Sequence, residues 1–449
     1  MQSLFLESDK VMRFSRRKLY LSAICLCSVS SLLFTSPDLD ADEVHFHSPT
    51  LWNVIRGYRE RKFISAFKLR HDPSVIRKKI VAMGKKLSEG QVWPHSGEDD
   101  RIIAQLNANP YPLAKGDGNG KLKNILLWSG LGGQGVVEGQ SHFFLQSCHV
   151  NTCYIHGQRY MADEADMIMF HSVGHPWKPR RPNQIWMMAS LECPLRTEDW
   201  SEMKGVNWTA TYRHDSTIVT PYEKFAPYSS LDDIQVTERN YAIGKSKQVV
   251  WFVSNCGSDN GRLEYARELA EYISVDIYGE CGEFDCPRGL NDEEECYSKL
   301  NTDYKFYLAF ENANCKDYIT EKFFVLGLQH DVLPIVMGAA PQDYERVAPL
   351  HSYIHVEEFS SPRELADFLH LLDRRDDLYN TYFSWKGTGT FINTHFWCRV
   401  CALLHDETRP VSEYKKLGDW WSGEGVCIGS DRWDSHRRKH EDTHGGLFA

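Results

Sequence analysis

The sequence predicts an α/β fold in which strands and helices alternate through more than one unit of the 449 residues. Three stretches carry that prediction. In the first, Tyr304, Phe306, Leu308 and Phe310 alternate with Lys305, Tyr307, Ala309 and Glu311, the two-residue period of a strand. A polar loop follows (Asn312–Tyr318), then a helix that Thr320 can cap and that buries Phe323, Phe324, Gly327 and Leu328. The apolar run Asp331–Met337 returns as a strand and stops at Gly338. The second stretch, Lys247–Gly279, repeats the pattern: QVVWFVSN is a strand, Arg262–Ile273 an amphipathic helix and VDIYG another strand. The third lies earlier, where Lys121–Trp128 and Ala165–Phe170 read as strands of a further α/β unit.

Composition agrees with a globular enzyme-sized body: 42% hydrophobic and 25% charged residues, with length for two or three domains. The net charge of −10 argues against a nucleic-acid binder, while leaving room for a local basic pocket.

From the N-terminus, Arg13, Arg16, Arg17 and Lys18 precede the uncharged run Leu19–Thr35. This predicts a cytosolic tail at 1–18 and a signal anchor at 19–35; a cleaved signal peptide is the alternative. Either way the remainder is lumenal, where disulfides persist. Of thirteen cysteines, Cys25 and Cys27 lie in the apolar run, so an odd number remains downstream and at least one is unpaired or intermolecular. Residues 36–120 read as a stem or linker, although Trp52, Trp93 and Ile102–Leu106 suggest that part of it packs on the body.

Residues 121–240 form the expected first domain. GLGGQG (Gly130–Gly135) departs from the dinucleotide spacing and reads as a tight turn. Cys148 and Cys153 bracket a short loop and predict a local disulfide. The buried strand Ile185–Pro194 ends in Glu192, which taken alone reads more readily as a surface or salt-bridged carboxylate. Asn207-Trp208-Thr209 is an N-glycosylation sequon in a predicted strand, so its occupancy stays open.

Residues 241–405 form the second domain. Arg262 opens a helix, where a cation opposes the helix dipole unless an anion compensates it. Cys281, Cys286 and Cys296 are not at ordinary zinc spacing and, with Cys315, fit disulfides better. The loop after the strand offers Glu311, Asn312, Tyr318, Glu321 and Lys322 beside a helix N-terminus, a setting that favours anions such as phosphate. Cys398 and Cys401 have CxxC spacing. Residues 406–449 form a C-terminal extension and tail, the tail from Ser435 expected to be disordered.

ENANCKDYITEKFF (Glu311–Phe324) resembles the donor-site signature of the α1,3-fucosyltransferases, most closely the branch that fucosylates the N-glycan core. RRPNQ before Leu191-Glu192-Cys193-Pro194, the NWT…YR-x-DS…PY segment Asn207–Tyr222, and DWW…GVC (Asp419–Cys427) extend the resemblance. Two departures stand out: Ala313 where Ser is usual, and Thr388 in WKGTGTF where Glu is common.

The resemblance implies a GT-B fold, two Rossmann-like domains facing a cleft, and inverting transfer of L-fucose from GDP-β-L-fucose to O3 of the innermost GlcNAc of N-glycoproteins. On that pattern Glu192 is the general base, a partly desolvated carboxylate, and Glu321 meets the fucose and the charge growing on its ring. Arg262 and Lys322 hold the diphosphate, while Tyr318, Asn312 and Glu311 position the donor. Arg213, Asp215 and Tyr222 either line the cleft or fix the domain crossing. The resemblance implies no required cofactor and no bound metal, though manganese often stimulates such enzymes. It also implies a disulfide between Cys398 and Cys401, a single-pass type II place in the Golgi membrane and a homodimer as one assembly. Two other readings are a Lewis-type enzyme acting on terminal N-acetyllactosamine, and an inactive lumenal glycan-binding homologue.

Overall fold

The computed structural model describes residues 61–433 apart from 88–89, 95–99, 111–121, 134, 175, 237 and 288, so the expected anchor at 19–35, Trp52 and the tail from Ser435 lie outside the described residues. Among the described residues no helix is long and apolar enough to cross a membrane. The chain divides into two units, Met1–Arg70, whose described part (61–70) is helical, and His71–Ala449.

The second unit is built on two five-stranded sheets. The first comprises β1 (Lys123–Leu127), β2 (Cys153–His156), β3 (Met167–Phe170), β4 (Ile185–Ser190) and β5 (Trp208–Thr211), in spatial order β2-β1-β3-β4-β5. After β6 (Lys224–Pro227), the second comprises β7 (Lys247–Phe252), β8 (Val275–Tyr278), β9 (Tyr304–Phe310), β10 (Leu333–Met337) and β11 (Ile354–His355), in order β8-β7-β9-β10-β11. Every pairing within the two sheets is parallel. The two sheets therefore repeat one topology, and each reverses its direction of growth between its first and third strands. A reversal of this kind opens a crevice at the carboxyl ends of those strands.

The strands are apolar because helices cover both faces. All seven residues of β9 are buried, including Lys305 on the face read as polar; its ammonium is satisfied by Asp373 at 2.8 Å, near the end of a helix, Pro362–Arg374. The stem does not run to residue 120 as expected. Helix α1 (Pro73–Leu87) puts Ile76 and Ile80 into the second sheet's core, and Ile102 is fully buried. Nor does the second half end at 405. Strand β12 (Gly389–Ile392) pairs antiparallel with β6, and the helix Phe396–His405 packs Val400, Leu403 and Leu404 against Ile125, Ile155 and Met167 of the first sheet.

That returning helix also corrects the expected disulfides. Cys148 joins Cys398 and Cys153 joins Cys401; neither the local Cys148–Cys153 pair nor a bond within CxxC forms. Residues three apart on a helix share one face, so both sulfurs of the CxxC are turned to β2 and the turn before it. Cys286–Cys296 pairs within the insertion, while Cys281 joins Cys256 and Cys315 joins Cys427, two partners missing from the sequence reading. Cys193 is the free thiol among the described cysteines, buried beside Glu192.

Candidate active site

The site is assembled from the end of β9 outward. Glu311 follows the last residue of the strand and is fully buried. Its carboxylate accepts hydrogen bonds from Thr320 N at 2.7 Å and Thr320 Oγ1 at 2.9 Å, with Lys322 Nζ at 3.3 Å. The helix that follows (Lys322–Leu328) is a π-helix, a form that is rare and concentrated at functional sites. It buries Phe323, Phe324, Gly327 and Leu328, the four residues read from the sequence. Thr320 does not cap it; the hydroxyl is spent on Glu311. The anion seated at this helix start is thus Glu311 itself, and Glu311 positions the loop where a donor contact was expected.

Burial raises the Glu311 pKa, with Lys322 opposing. Burial alone would depress Lys322, but Glu311 and Glu321 outweigh it and hold the ammonium charged. Burial would likewise raise Glu321, and Lys322 at 2.9 Å overrides it, keeping that carboxyl below its ordinary value. Glu321's side chain is 51% exposed, so a charged pair faces open space at the loop's edge.

Glu192 lies two residues past the end of β4, on the first sheet. Its Oε1 accepts from Cys193 N at 2.9 Å and from the hydroxyl of Tyr318, in the second sheet's loop, at 2.7 Å. The expectation of a desolvated carboxylate is not met: Glu192 is exposed, because it stands beyond the strand, with covered Tyr318 on one side. Tyr222 donates to Leu191 O at 2.8 Å, and its hydroxyl pKa is pushed up by burial and then by Glu321, Glu192 and Glu311. Tyr222 therefore sits among the carboxylates of both sheets.

Arg262 is turned inward rather than toward a ligand and is 3% exposed. It opens helix α2 (Arg262–Ala270) at the reversal point of the second sheet. Nη2 donates to Asn255 O at 2.8 Å in the loop after β7, Nη1 to Phe310 O at 2.9 Å at the end of β9, and Nε to Ser258 Oγ at 3.0 Å. These oxygens, in place of a phosphate, offset the clash between cation and helix dipole. Among the described residues no carboxylate is in ion-pair contact with it, so its positive charge remains for the crevice.

Three polar groups at the crevice escaped the sequence reading. Asn260 donates to Glu311 O at 3.0 Å and Asn314 Oδ1 at 3.1 Å, while its own Oδ1 lacks a partner among the described residues. Asn312 Oδ1, which was expected to meet the donor, is likewise shielded and unpartnered. Arg196 reaches toward the same loop, Nη2 to Gly257 O at 3.5 Å, and adds a cation four residues after Glu192. Helix α2 carries no side-chain cap on its first N–H groups. Orphan donors, an uncompensated guanidinium and an ammonium make this end of the second sheet an anion site.

Arg213 and Asp215 fix the crossing instead of lining the cleft. Arg213 binds Asp215 through two bonds of 2.9 and 2.6 Å, donates to Trp420 O, and stacks on the Trp420 ring. Asp215 in turn meets Lys316 of the donor loop at 3.2 Å. Burial would raise the Asp215 carboxyl, but Arg213 and Lys316 bring it down to about 2. His214 Nδ1 and Asp317 Oδ2, 2.6 Å apart, add a second tie. The C-terminal extension completes the frame: Lys316 N donates to Val426 O, Ile428 N to Asn314 O, and the Cys315–Cys427 disulfide lies between them. Asn207 is 7% exposed and its Oδ1 accepts from Trp186 N at 2.8 Å, so a glycan on this side chain has no room in the fold.

An anion crevice in one sheet, facing a carboxylate supplied by the other, defines a transferase of activated, negatively charged donors. Residues 242–420 match the C-terminal domain of glycosyltransferase family 10 (fucosyltransferase), and residues 120–223 match the fucosyltransferase N-terminal domain. The chain belongs to this family. It is 53% identical over 349 residues to glycoprotein 3-alpha-L-fucosyltransferase A of Drosophila melanogaster, covering 76% of this chain and 69% of that protein. It is 33% identical over 306 residues to human 4-galactosyl-N-acetylglucosaminide 3-alpha-L-fucosyltransferase 9, covering 66% and 80%. A crystal structure of an alpha1,3-fucosyltransferase with GDP-fucose superimposes over 71% of this chain and 100% of its own, with a TM-score of 0.45 and 15% identity.

Proposed function

We propose that the protein is an inverting glycoprotein 3-α-L-fucosyltransferase of GT-B arrangement, taking fucose from GDP-β-L-fucose to O3 of the Asn-linked GlcNAc of N-glycans. The observation that carries this reading is the bond between Glu192 of the first sheet and Tyr318 of the second sheet's loop. It brings a base to the edge of an anion site. The 53% identity to a glycoprotein 3-alpha-L-fucosyltransferase favours the core acceptor over the N-acetyllactosamine named for relatives at about a third identity.

In this mechanism Glu192 removes the proton from the attacking hydroxyl as that oxygen closes on the anomeric carbon. The nucleotide leaves from the opposite face. Charge developing on its diphosphate is met by Lys322, the first N–H groups of α2 and the fields of Arg262 and Arg196. Glu321 carries the negative charge nearest the sugar and opposes the positive charge growing on its ring. Exposed Glu192 is desolvated by the substrates themselves as they fill the crevice. Leu19–Thr35 would hold this body in the Golgi membrane as a type II protein.

The full chain, extracted from cells that lack core α1,3-fucosylation, is offered GDP-fucose with a core-exposed N-glycopeptide and, separately, N-acetyllactosamine. Fucose linked to O3 of the Asn-linked GlcNAc supports the reading. Product on N-acetyllactosamine alone supports the Lewis-type enzyme, and donor binding with no product on either acceptor supports a glycan-binding protein.

A further inference from the structure

The first sheet has the same strand order as the second, so it has a reversal point of its own, between β1 and β3. Nothing in the mechanism above uses it. Its chemistry differs from that of the anion crevice. At the end of β1, Trp128 N donates to Met169 O at 2.9 Å, and across the gap Ser129 Oγ lies 3.5 Å from Ser172 Oγ. Trp128 is buried, backed by Phe170 at 5.5 Å between ring centroids. The one cation there, Arg159, lies over the Trp128 ring at 4.9 Å and gives its Nε–H to Trp128 O at 2.6 Å.

Outside this pair stands Trp177, 59% exposed, its ring centroid 6.1 Å from that of Trp128. The loop bearing it is anchored. Val173 N donates to Glu198 Oε2 at 2.7 Å, in the segment that follows Glu192. A Cβ on Gly174 would meet the Phe170 ring at 2.5 Å, so only glycine lets the loop lie this close. His171 Nδ1, next to the end of β3, is shielded and has no partner among the described residues.

We propose that this second crevice is the acceptor subsite, with Trp177 stacking on the sugar ring next to the one that receives fucose; this rests on the transferase reading above. An exposed indole held in place, flanked by serine hydroxyls and without a free cation, suits a neutral pyranose, whose C–H face is apolar and whose hydroxyls need partners. Position fits as well. Strand β3 is the direct neighbour of β4, with Phe170 opposite Met188, so the β3 end is one strand spacing from Glu192 and the β1 end two. At about 4.8 Å per spacing this is roughly 5–10 Å, the length of a disaccharide. The ligand class is a β1,4-linked N-acetylglucosamine pair.

The test uses the full chain with Trp177→Ala and Trp177→Phe, reading KM for N-glycopeptide, KM for GDP-fucose, and quenching of intrinsic fluorescence by the N-acetylglucosamine disaccharide. The alanine variant is expected to raise the acceptor KM at least tenfold and abolish quenching, with the donor KM within twofold and most of the loss recovered by phenylalanine. An acceptor KM within twofold in Trp177→Ala, or a donor KM that rises in step with it, overturns the subsite. If the unsubstituted chain transfers no fucose, the transferase reading fails separately. Disaccharide quenching then still decides: loss on Trp177→Ala supports the subsite, and its absence from the unsubstituted chain or persistence in the variant overturns it.

Discussion

The Tyr318 hydroxyl donates to Glu192 Oε1 at 2.7 Å, linking the loop after β9 to the end of β4 on the other sheet. Tyr318 is 2% exposed and cannot swing away, so the bond fixes where the exposed carboxylate points. A donor expected to hold the nucleotide sugar is, in the empty site, the group that orients the base.

Tyr318→Phe removes one hydrogen bond to a charged acceptor, worth about 1.5–3 kcal/mol. The expected result is a fall in kcat of roughly 10–100-fold with GDP affinity held near that of the unsubstituted enzyme. Steady-state kinetics beside calorimetric titration of GDP separate the two. An unchanged kcat would show that Glu192 is held by something else.

Much of this architecture was legible because parallel strands and amphipathic helices leave strong local signals. The strands Tyr304–Phe310 and Val275–Tyr278, and the buried side of the helix after Thr320, fall where their apolar patterns place them. The donor loop was legible through its resemblance. What stayed hidden depends on distant partners. Glu311 and Arg262 have the residue types of ligand contacts, but their partners Thr320, Phe310 and Asn255 become neighbours only on folding. For the same reason Cys148 and Cys153 look like a local pair until the helix carrying Cys398 and Cys401 returns to the first sheet. The repeat of one strand order in both sheets has no sequence signature.

Glu311→Gln tests its positioning role. The amide keeps the side chain's size but withdraws the charge that tethers Lys322 at 3.3 Å. The donor KM should rise about tenfold, equal to ~1.4 kcal/mol, although Glu311 touches no donor atom. Glu311→Ala, which also strands the Thr320 donors, should destabilise the fold by about 2–4 kcal/mol in denaturant unfolding. A donor KM unaffected by the glutamine would remove Glu311 from the site.

The extension beyond His405 acts as a strap on the donor loop through Cys315–Cys427, flanked by Lys316–Val426 and Ile428–Asn314 bonds. Cys427→Ser should lower stability by about 2–4 kcal/mol and weaken GDP binding in parallel. Loss of stability at unaltered GDP affinity would confine the strap to a scaffold role.

Acid should loosen the domain crossing at Asp215. Its folded-state pKa is about 2, below the ordinary 3.8, so the ionised form is favoured by folding. The contribution is fully present above about pH 4 and is lost as pH falls toward 2. For a side chain a third exposed, solvent screening brings this to about 1–2 kcal/mol. Thermal unfolding of Asp215→Asn should therefore show a shallower decline between pH 4 and 2 than the unsubstituted protein, and a parallel decline would contradict the assignment.

The most direct test of the account is Glu192→Gln, assayed for donor binding and for transfer on one preparation. GDP-fucose should bind within a fewfold of the unsubstituted affinity, because the anion site belongs to the second sheet, while transfer to the glycopeptide falls by at least 10²-fold through loss of the general base. Transfer at an undiminished rate would contradict the central claim that Glu192 takes the acceptor's proton.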